Sequence, residues 1–353
     1  MEIINVNVIK ILVLLVFSSG CAILWSPLLI NFLYKYKLWR KSVRQKTIDG
    51  KPLPVFYKLN KNREVGVPRM GGVLIWATTV FTAFFFAFLA RLLDNFWFKK
   101  LDFLSRDQTW LPLGVLVAGS FLGLVDDLLQ VFEKGKYSSG GMRFSRRLLV
   151  ILLIAAVSAA WFYFKLGRNM IHLPGNGEIE IGFWYLPLFI VVMLATWAGG
   201  VIDGIDGLAG GSFAIMFGAF TVIAFSQTQY NLAAFCAVLT GTILSFLWFN
   251  IPPARFYMGE TGMIGLTAVL AVVAFLTDSV LVLPVIGGLL VIEAGSVILQ
   301  LFAKKFFHKK IFISAPIHHH LEAKGWSPEK ITMRFWVVGM ALAVLGVAIR
   351  LLG

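Results

Sequence analysis

Charged residues are scarce in this sequence: 14% of its 353 residues are Asp, Glu, Lys or Arg, whereas 58% are hydrophobic. In soluble globular domains about a quarter of the residues are usually charged. The low charged fraction and a mean hydropathy of +0.81 therefore exclude a soluble globular domain. Linkers, low-complexity tracts and internal repeats are also missing, so we expect a single transmembrane domain over residues 1–353. These deficits predict an all-α polytopic membrane protein.

Cysteine is nearly absent as well, and both thiols lie in apolar segments. Cys21 and Cys236 therefore imply no disulfide framework. Long apolar runs are abundant, and about ten reach the roughly 20 residues that a helix needs to cross a bilayer. They are residues 9–33, 71–91, 111–128, 148–165, 183–199, 208–225, 231–249, 261–277, 281–302 and 332–352.

Acidic residues are outnumbered, since 18 Asp and Glu face 32 Lys and Arg. In a membrane protein this excess reports topology and attraction to anionic lipids, so we expect no nucleic-acid partner. The cations concentrate after odd-numbered spans, which places those loops in the cytoplasm and both termini outside. The cytoplasmic loops are expected at 34–70, 129–147, 200–207, 250–260 and 303–331. A Pro-Gly-Asn-Gly turn before alternating Glu and Ile predicts a small extracytoplasmic β-hairpin near 172–182.

Five polar clusters interrupt the apolar chain, each on or beside a predicted cytoplasmic loop. They are 66–72 (GVPRMGG), 126–127 (DD), 203–207 (DGIDG), 250–262 (NIPPARFYMGETG) and 316–322 (PIHHHLE). A charge near the membrane is costly, which makes Asp126 and Asp127 functional candidates. Because adjacent helical residues point about 100° apart, the two carboxylates need not share a role. Five clusters on one face predict an active site at the bilayer surface.

The DGIDG cluster is rich in glycine, which lets backbone approach a ligand closely. The helix that follows offers its N-terminus to an anion such as pyrophosphate. Asp203 and Asp206, three residues apart, can face one way and offer hard oxygen ligands to Mg²⁺. Glycine-rich helix packing is the alternative, but it does not require two aspartates.

The last two clusters are open to more than one interpretation. Residues 250–262 contain an amide and an acid, which would suit a substrate and a metal, and the aromatic ring of Tyr257, which would stack on a base. The alternative is a structured loop. His318, His319 and His320 cannot easily bind one ion together. They favour hydrogen bonding or cationic stabilisation of phosphate, with a metal-binding tract as the alternative.

The clusters and their order resemble the phospho-N-acetylmuramoyl-pentapeptide transferase family, within the polyprenyl-phosphate sugar-1-phosphate transferase superfamily. The acidic pair and DGIDG mark the superfamily, whereas the triple histidine marks the muramoyl-peptide branch. The resemblance implies transfer of phospho-MurNAc-pentapeptide from UDP-MurNAc-pentapeptide to undecaprenyl phosphate, giving lipid I and UMP for peptidoglycan synthesis. It also implies Mg²⁺, an active site on the cytoplasmic face of the inner membrane, and a homodimer as a candidate assembly.

Positions carried over from the family imply the following roles. The catalytic residues are Asp126, Asp127, Asp203, Asp206, His318, His319 and His320. The metal ligands are Asp203 and Glu260. The substrate-binding residues are Asn250, Tyr257, Arg69, Gln300 and Ala315.

Several positions depart from the family pattern. The first-loop motif usually reads Lys-x-Gly-Thr-Pro-Thr-Met-Gly-Gly, and here Glu64 replaces its Lys and Arg69 its second Thr. Gly200 replaces an Asn before DGIDG, and Glu260 replaces an Asp. Arg69 is a cation that restores the charge lost at Glu64.

Three rival functions remain open on the sequence. A relative acting on another UDP-sugar, such as UDP-GlcNAc, would share the fold but not the triple histidine. A catalytically impaired relative is favoured by Gly200 and Glu64. A transporter would place its acids near the bilayer midplane, often in repeated halves.

Overall fold

The computed structural model describes residues 2–41, 57, 65–105, 108–133 and 141–353. Most of the predicted loop 34–70, with Glu64, and part of the loop 129–147 lie outside these residues. The helices are α1 (Glu2–Lys35), α2 (Gly72–Leu92), α3 (Phe96–Leu101), α4 (Trp110–Val131), α5 (Phe144–Ala160), α6 (Tyr185–Ala198), α7 (Leu208–Ser226), α8 (Tyr230–Asn250), α9 (Gly259–Leu276), α10 (Leu283–Ile286), α11 (Gly288–Phe306), α12 (Ile317–Ala323) and α13 (Pro328–Leu352).

Within the described residues, nine helices are long and apolar enough to cross a membrane: α1, α2, α4 to α9 and α13. A π-helical turn (Trp161–Lys165) extends α5, and 3-10 turns (Gly182–Trp184 and Gly199–Ile202) flank α6. The all-α polytopic class is thus confirmed. The predicted span 281–302 differs from the others, because the chain breaks at Gly287 between α10 and α11, and α11 carries Glu293 and two lysines. The placement of both termini outside stays a prediction.

The predicted hairpin is present and begins two residues earlier than expected. β1 (Met170–Leu173) pairs antiparallel with β2 (Gly177–Glu180), with Leu173 opposite Gly177. Gly175 in the turn and Gly177 at the start of β2 have φ of +83° and +79°, a region that glycine enters without a Cβ penalty. The side of the membrane on which the hairpin lies stays a prediction.

Helix α9 is the centre of the molecule. It packs against α2, α4 and α6, and 94% of its residues are buried. By contrast, only 17% of the most apolar stretch of α13 and 28% of that of α1 are buried. The outer helices therefore present their apolar faces outward, as lipid-facing helices do, while α9 contacts protein on nearly all sides.

Glycines allow the neighbouring helices to reach the first turn of α9. A Cβ on Gly123 of α4 would overlap the backbone of Glu260, and a Cβ on Gly72 of α2 would overlap the backbone of Gly262. Small residues at such crossings let backbones approach closely. The result brings the Asp126–Asp127 end of α4 and the 66–72 segment beside the N-terminus of α9.

Candidate active site

Asp127 caps helix α9. Its side chain is fully buried, with Oδ1 accepting the backbone N–H of Glu260 (3.2 Å) and Oδ2 accepting the backbone N–H (2.9 Å) and hydroxyl (2.8 Å) of Thr261. These N–H groups have no partner within the helix, and the positive end of the helix dipole favours a carboxylate. Asp127 therefore ties α4 to the start of α9.

Asp126 belongs to a different network, as adjacent helical residues allow. Its Oδ2 accepts from Nε2 of Gln130 (2.8 Å) and from Nη1 of Arg147 (3.3 Å), and its Oδ1 accepts the backbone N–H of Met142. The same Nη1 of Arg147 lies 2.9 Å from Oε1 of Glu260. Arg147 thus joins two acids that come from different helices.

Asp203 follows the 3-10 turn after α6 and accepts a hydrogen bond from the backbone of Gly259. Burial raises the pKa of Asp203 to about 6; the positive charge of Arg69 opposes this shift, and the carboxylates of Glu260 and Asp127 add to it. Nε of Arg69 lies 3.4 Å from Oδ1 of Asp127. The DGIDG loop and the 66–72 segment therefore meet at the first turn of α9.

Asp206 and Asn250 hold two loops together. Oδ2 of Asp206 accepts the backbone N–H of Ala254 (3.0 Å). The amide of Asn250 accepts from the backbone of Gly207 (3.0 Å) and donates to the carbonyl of Phe256 (2.9 Å). Both ends of this amide bind backbone, so Asn250 positions DGIDG against 250–257, and its contact with a substrate stays a prediction.

His318 packs against the DGIDG loop. Its Nδ1 lies 2.9 Å from Oε2 of Glu293, and both side chains are fully buried. A Cβ on Gly204 would overlap the imidazole ring near Nε2. Nε2 and the second oxygen of Glu293 have no hydrogen-bond partner among the described residues. A buried carboxylate therefore orients the imidazole toward the loop that follows Asp203.

The other two histidines have separate partners. Nδ1 of His319 lies 2.7 Å from Oε2 of Glu322; burial lowers the pKa of His319, and the Glu322 carboxylate opposes that shift. Nδ1 of His320 accepts the backbone N–H of Ile313 (3.1 Å). The Nδ1 atoms of the three imidazoles therefore have three different partners.

The predicted substrate residues lie around this centre. The backbone N–H of Tyr257 donates to the carbonyl of Pro68 (2.8 Å), and its carbonyl accepts from the N–H of Gly71 (2.8 Å), so this half-buried residue lies beside the 66–72 segment. Gln300 is buried, and its side-chain amide binds the loop before α12. Its oxygen accepts the backbone N–H groups of Ile311 and Phe312, and its NH₂ group donates to the carbonyl of Phe312 (2.9–3.0 Å). Ala315 is partly exposed farther along that loop. Their contacts with substrate stay predictions.

Sequence reasoning missed several residues that the structure brings here. Thr261 completes the cap. Arg147 is expected from the sequence only to attract the lipid phosphate, and in the structure it joins the acids. Helix α13 contributes Thr332, whose hydroxyl donates to the backbone of Asp206 (3.0 Å), and Trp336, whose Nε1 donates to that of Gly207 (3.2 Å). Glu293 had a signal that was overlooked: an acid inside an apolar run is a functional candidate by default.

The donor set is compatible with a divalent cation. No group of three or more His, Cys, Asp or Glu suited to a metal occurs in the described part of the chain. Mg²⁺, however, is commonly bound by one or two carboxylates together with phosphate oxygens and water. Asp203 and Glu260 are both partly exposed and interact electrostatically, so they fit that requirement.

The fold and this acid-rich site define a membrane-embedded glycosyl transferase, and comparisons with known proteins agree. The family described as "Glycosyl transferase family 4" matches residues 109–278. The phospho-N-acetylmuramoyl-pentapeptide-transferase of Geobacillus sp. (strain WCH70) is 35% identical over 95% of this chain and 96% of its own. The one of Bacillus subtilis (strain 168) is 33% identical over 93% and 94%, and that of Lactiplantibacillus plantarum 35% identical over 81% and 85%.

The chain therefore belongs to the phospho-N-acetylmuramoyl-pentapeptide-transferase family. It is a multi-pass membrane protein. Membership implies a nucleotide-sugar substrate and a lipid carrier. Glycosyl-1-phosphate transferases of this kind generally depend on a divalent metal.

Proposed function

We propose that this protein transfers phospho-MurNAc-pentapeptide from UDP-MurNAc-pentapeptide to undecaprenyl phosphate, giving lipid I and UMP for peptidoglycan synthesis. The reaction takes place on the cytoplasmic face of the inner membrane, where the positive-inside rule puts the polar clusters. A homodimer stays a prediction.

One observation carries the proposal: chain segments far apart in sequence converge on the first turn of α9. Asp127 caps that turn, Arg147 binds Glu260, and Asp203 accepts from the backbone of Gly259. Such a site combines acids, cations and glycine-rich backbone, which phosphoryl transfer requires for positioning and for neutralising charge.

In the reaction, an oxygen of the lipid phosphate attacks the β-phosphorus of the nucleotide. A new P–O bond forms, the bond from that phosphorus to the bridging oxygen breaks, and UMP leaves with the bridging oxygen and its electron pair. A phosphate monoester is largely ionised at neutral pH, with a second pKa of about 6, so the nucleophile needs no strong base.

Each element around the site has a task in this scheme. The N-terminus of α7 follows the DGIDG loop, and the positive end of its helix dipole would favour the negative charge of the pyrophosphate. His318, oriented by Glu293 and packed on the DGIDG loop, would stabilise a phosphate oxygen. Arg69 and Arg147 neutralise charge on the transferring group, and Asp127 keeps α9 in place.

Asp203 and Glu260 would hold Mg²⁺. When bound, this ion supplies positive charge that stabilises the leaving UMP. The longer side chain of Glu260, compared with the usual Asp, is held by Arg147 at 2.9 Å, which limits its reach.

The test is UMP release by the purified protein in detergent with undecaprenyl phosphate and Mg²⁺. We expect turnover of UDP-MurNAc-pentapeptide and none of UDP-GlcNAc. Turnover of UDP-GlcNAc alone would assign the protein to another branch of the superfamily. No turnover of either substrate would favour a catalytically impaired relative.

A pair of variants tests the metal role. Asp203→Asn should abolish UMP release while the protein stays folded. Asp278→Asn, which removes an acid that pairs with Arg168 at 2.8 Å outside the site, should keep activity. Full activity of Asp203→Asn would contradict the assignment.

A further inference from the structure

Arg69 lies among the acids of the site, at a position where the family resemblance expects Thr. Its side chain is only 17% exposed, and Nε lies 3.4 Å from Oδ1 of Asp127. Its positive charge also acts on the carboxylates of Asp203 and Glu260. This guanidinium is therefore part of the charge balance of the site and not a solvated surface cation.

The backbone around Arg69 is held on both sides. Its own N–H donates to the carbonyl of Leu38 (2.9 Å), the carbonyl of Pro68 accepts from Tyr257 (2.8 Å), and the N–H of Gly71 donates back to Tyr257 (2.8 Å). These bonds attach the segment to the residues just before α9. The guanidinium is thus positioned by a paired backbone, so its charge stays beside the acids.

The charges of the site can be counted directly. Among the described residues, the site has two guanidinium groups and four carboxylates. Arg69 contacts Asp127, and Arg147 contacts Asp126 and Glu260. The charge of Arg69 also acts on Asp203. With both arginines present, two negative charges remain, which one divalent ion neutralises. A neutral residue at position 69 would leave three, and a divalent ion would bind more tightly.

We propose that Arg69 is a resident cation that weakens divalent-ion binding to the free site and binds the pyrophosphate of the nucleotide, so that metal and nucleotide bind together. An incoming pyrophosphate pairs with the guanidinium and adds negative charge, and both effects raise the affinity for the metal. The pyrophosphate part rests on the proposed function, whereas the effect on the metal alone does not.

The experiment uses the full-length protein in detergent and two titrations without lipid carrier. Mn²⁺ binding without nucleotide is followed from the electron paramagnetic resonance signal of the free ion. UDP binding with a chelator present is followed by calorimetry. The variants are Arg69→Thr, Arg69→Lys and, as a control that removes the same charge away from the site, Arg168→Thr.

The proposal predicts opposite changes in the two titrations. Arg69→Thr should bind Mn²⁺ about tenfold more tightly, because one repelling charge is gone, and metal-free UDP about tenfold more weakly, because a charge-assisted contact is lost. Arg69→Lys should stay near the wild type in both, and Arg168→Thr should change neither. A variant that is merely misfolded would lose both ligands together.

Three results would overturn the proposal: unchanged or weaker Mn²⁺ binding in Arg69→Thr, parallel loss of Mn²⁺ and UDP, or no Mn²⁺ binding by wild type and variant alike. Because both titrations omit turnover, a failure of muramoyl transfer would refute the proposed function without deciding the role of Arg69.

Discussion

Replacing Asp127 by Asn separates the structural work of this acid from its charge. The two side chains have the same shape, but Asn has one acceptor oxygen where the carboxylate has two. Those two oxygens now receive the backbone N–H of Glu260 at 3.2 Å and the N–H and hydroxyl of Thr261 at 2.9 and 2.8 Å. In the variant, an NH₂ group would face at least one of these buried donors.

The magnitude follows from that geometry. A hydrogen bond to a charged group contributes about 1.5–3 kcal/mol, and a buried donor left without an acceptor costs about 1–3 kcal/mol. Losing one such bond and leaving one donor unsatisfied gives a destabilisation of roughly 2.5–6 kcal/mol for Asp127→Asn.

Asp203→Asn is the matched comparison. Burial raises the pKa of Asp203 to about 6, so at neutral pH its ionised form is less favourable in the folded than in the unfolded chain. A neutral amide there should leave the free energy of unfolding unchanged or raise it. Both variants should lose UMP release, but only Asp127→Asn should lose stability.

The assay is denaturant or thermal unfolding of the two purified variants and the wild type in one detergent at pH 7. The cap argument would be refuted if Asp127→Asn unfolded together with the wild type. It would also be refuted if both variants were destabilised to the same extent, since that outcome would assign the effect to lost charge in general.

Three further predictions concern other parts of the structure. Glu293→Gln removes the negative charge that orients His318. It should therefore lower kcat for UMP release by about tenfold, or about 1.4 kcal/mol, with little change in KM for the nucleotide sugar. An unchanged kcat would contradict this role. Gly123→Ala should destabilise the protein by about 1–3 kcal/mol, because the methyl group overlaps the backbone of α9, whereas Gly114→Ala on the same helix has open space and should unfold like the wild type. As the pH rises from about 4 to about 6, the unfolded chain ionises Asp203 before the folded chain does, so the contribution of Asp203 to stability should fall over that range. The stability of Asp203→Asn relative to the wild type should therefore rise with pH over the same range, and a constant difference between the two proteins would exclude the shift.

The composition and the long apolar runs of the sequence are sufficient to predict the fold class. Nine of the predicted spans appear as long apolar helices in the described part of the chain, because a helix that satisfies its own backbone is one of only two structures that can cross lipid. The span at 281–302 was less predictable. Its average hydropathy conceals both the break at Gly287 and the buried carboxylate of Glu293.

Polar clusters in an apolar chain were also sufficient to locate the candidate site, but not to assign its residues. Asp126 and Asp127 are identical neighbours in sequence, yet one lies in an ion-pair network and the other caps α9. Asn250 was expected to meet a substrate, and its amide binds backbone on both sides. The acidic partners of Arg147 could not be predicted, because they lie 21 and 113 residues away in the sequence.

The sequence by itself therefore determined that this protein spans a membrane, which segments do so, and which polar residues stand out against that background. These properties depend on the cost of placing each residue in hydrocarbon, and that cost is additive along the chain. Only the tertiary structure decided which acid meets which cation, which carboxylate remains partly exposed, and where Glu293 and Arg69 belong. Those outcomes depend on the direction of each side chain and on how closely glycines let α2, α4 and α9 approach, so distances across the fold decide them.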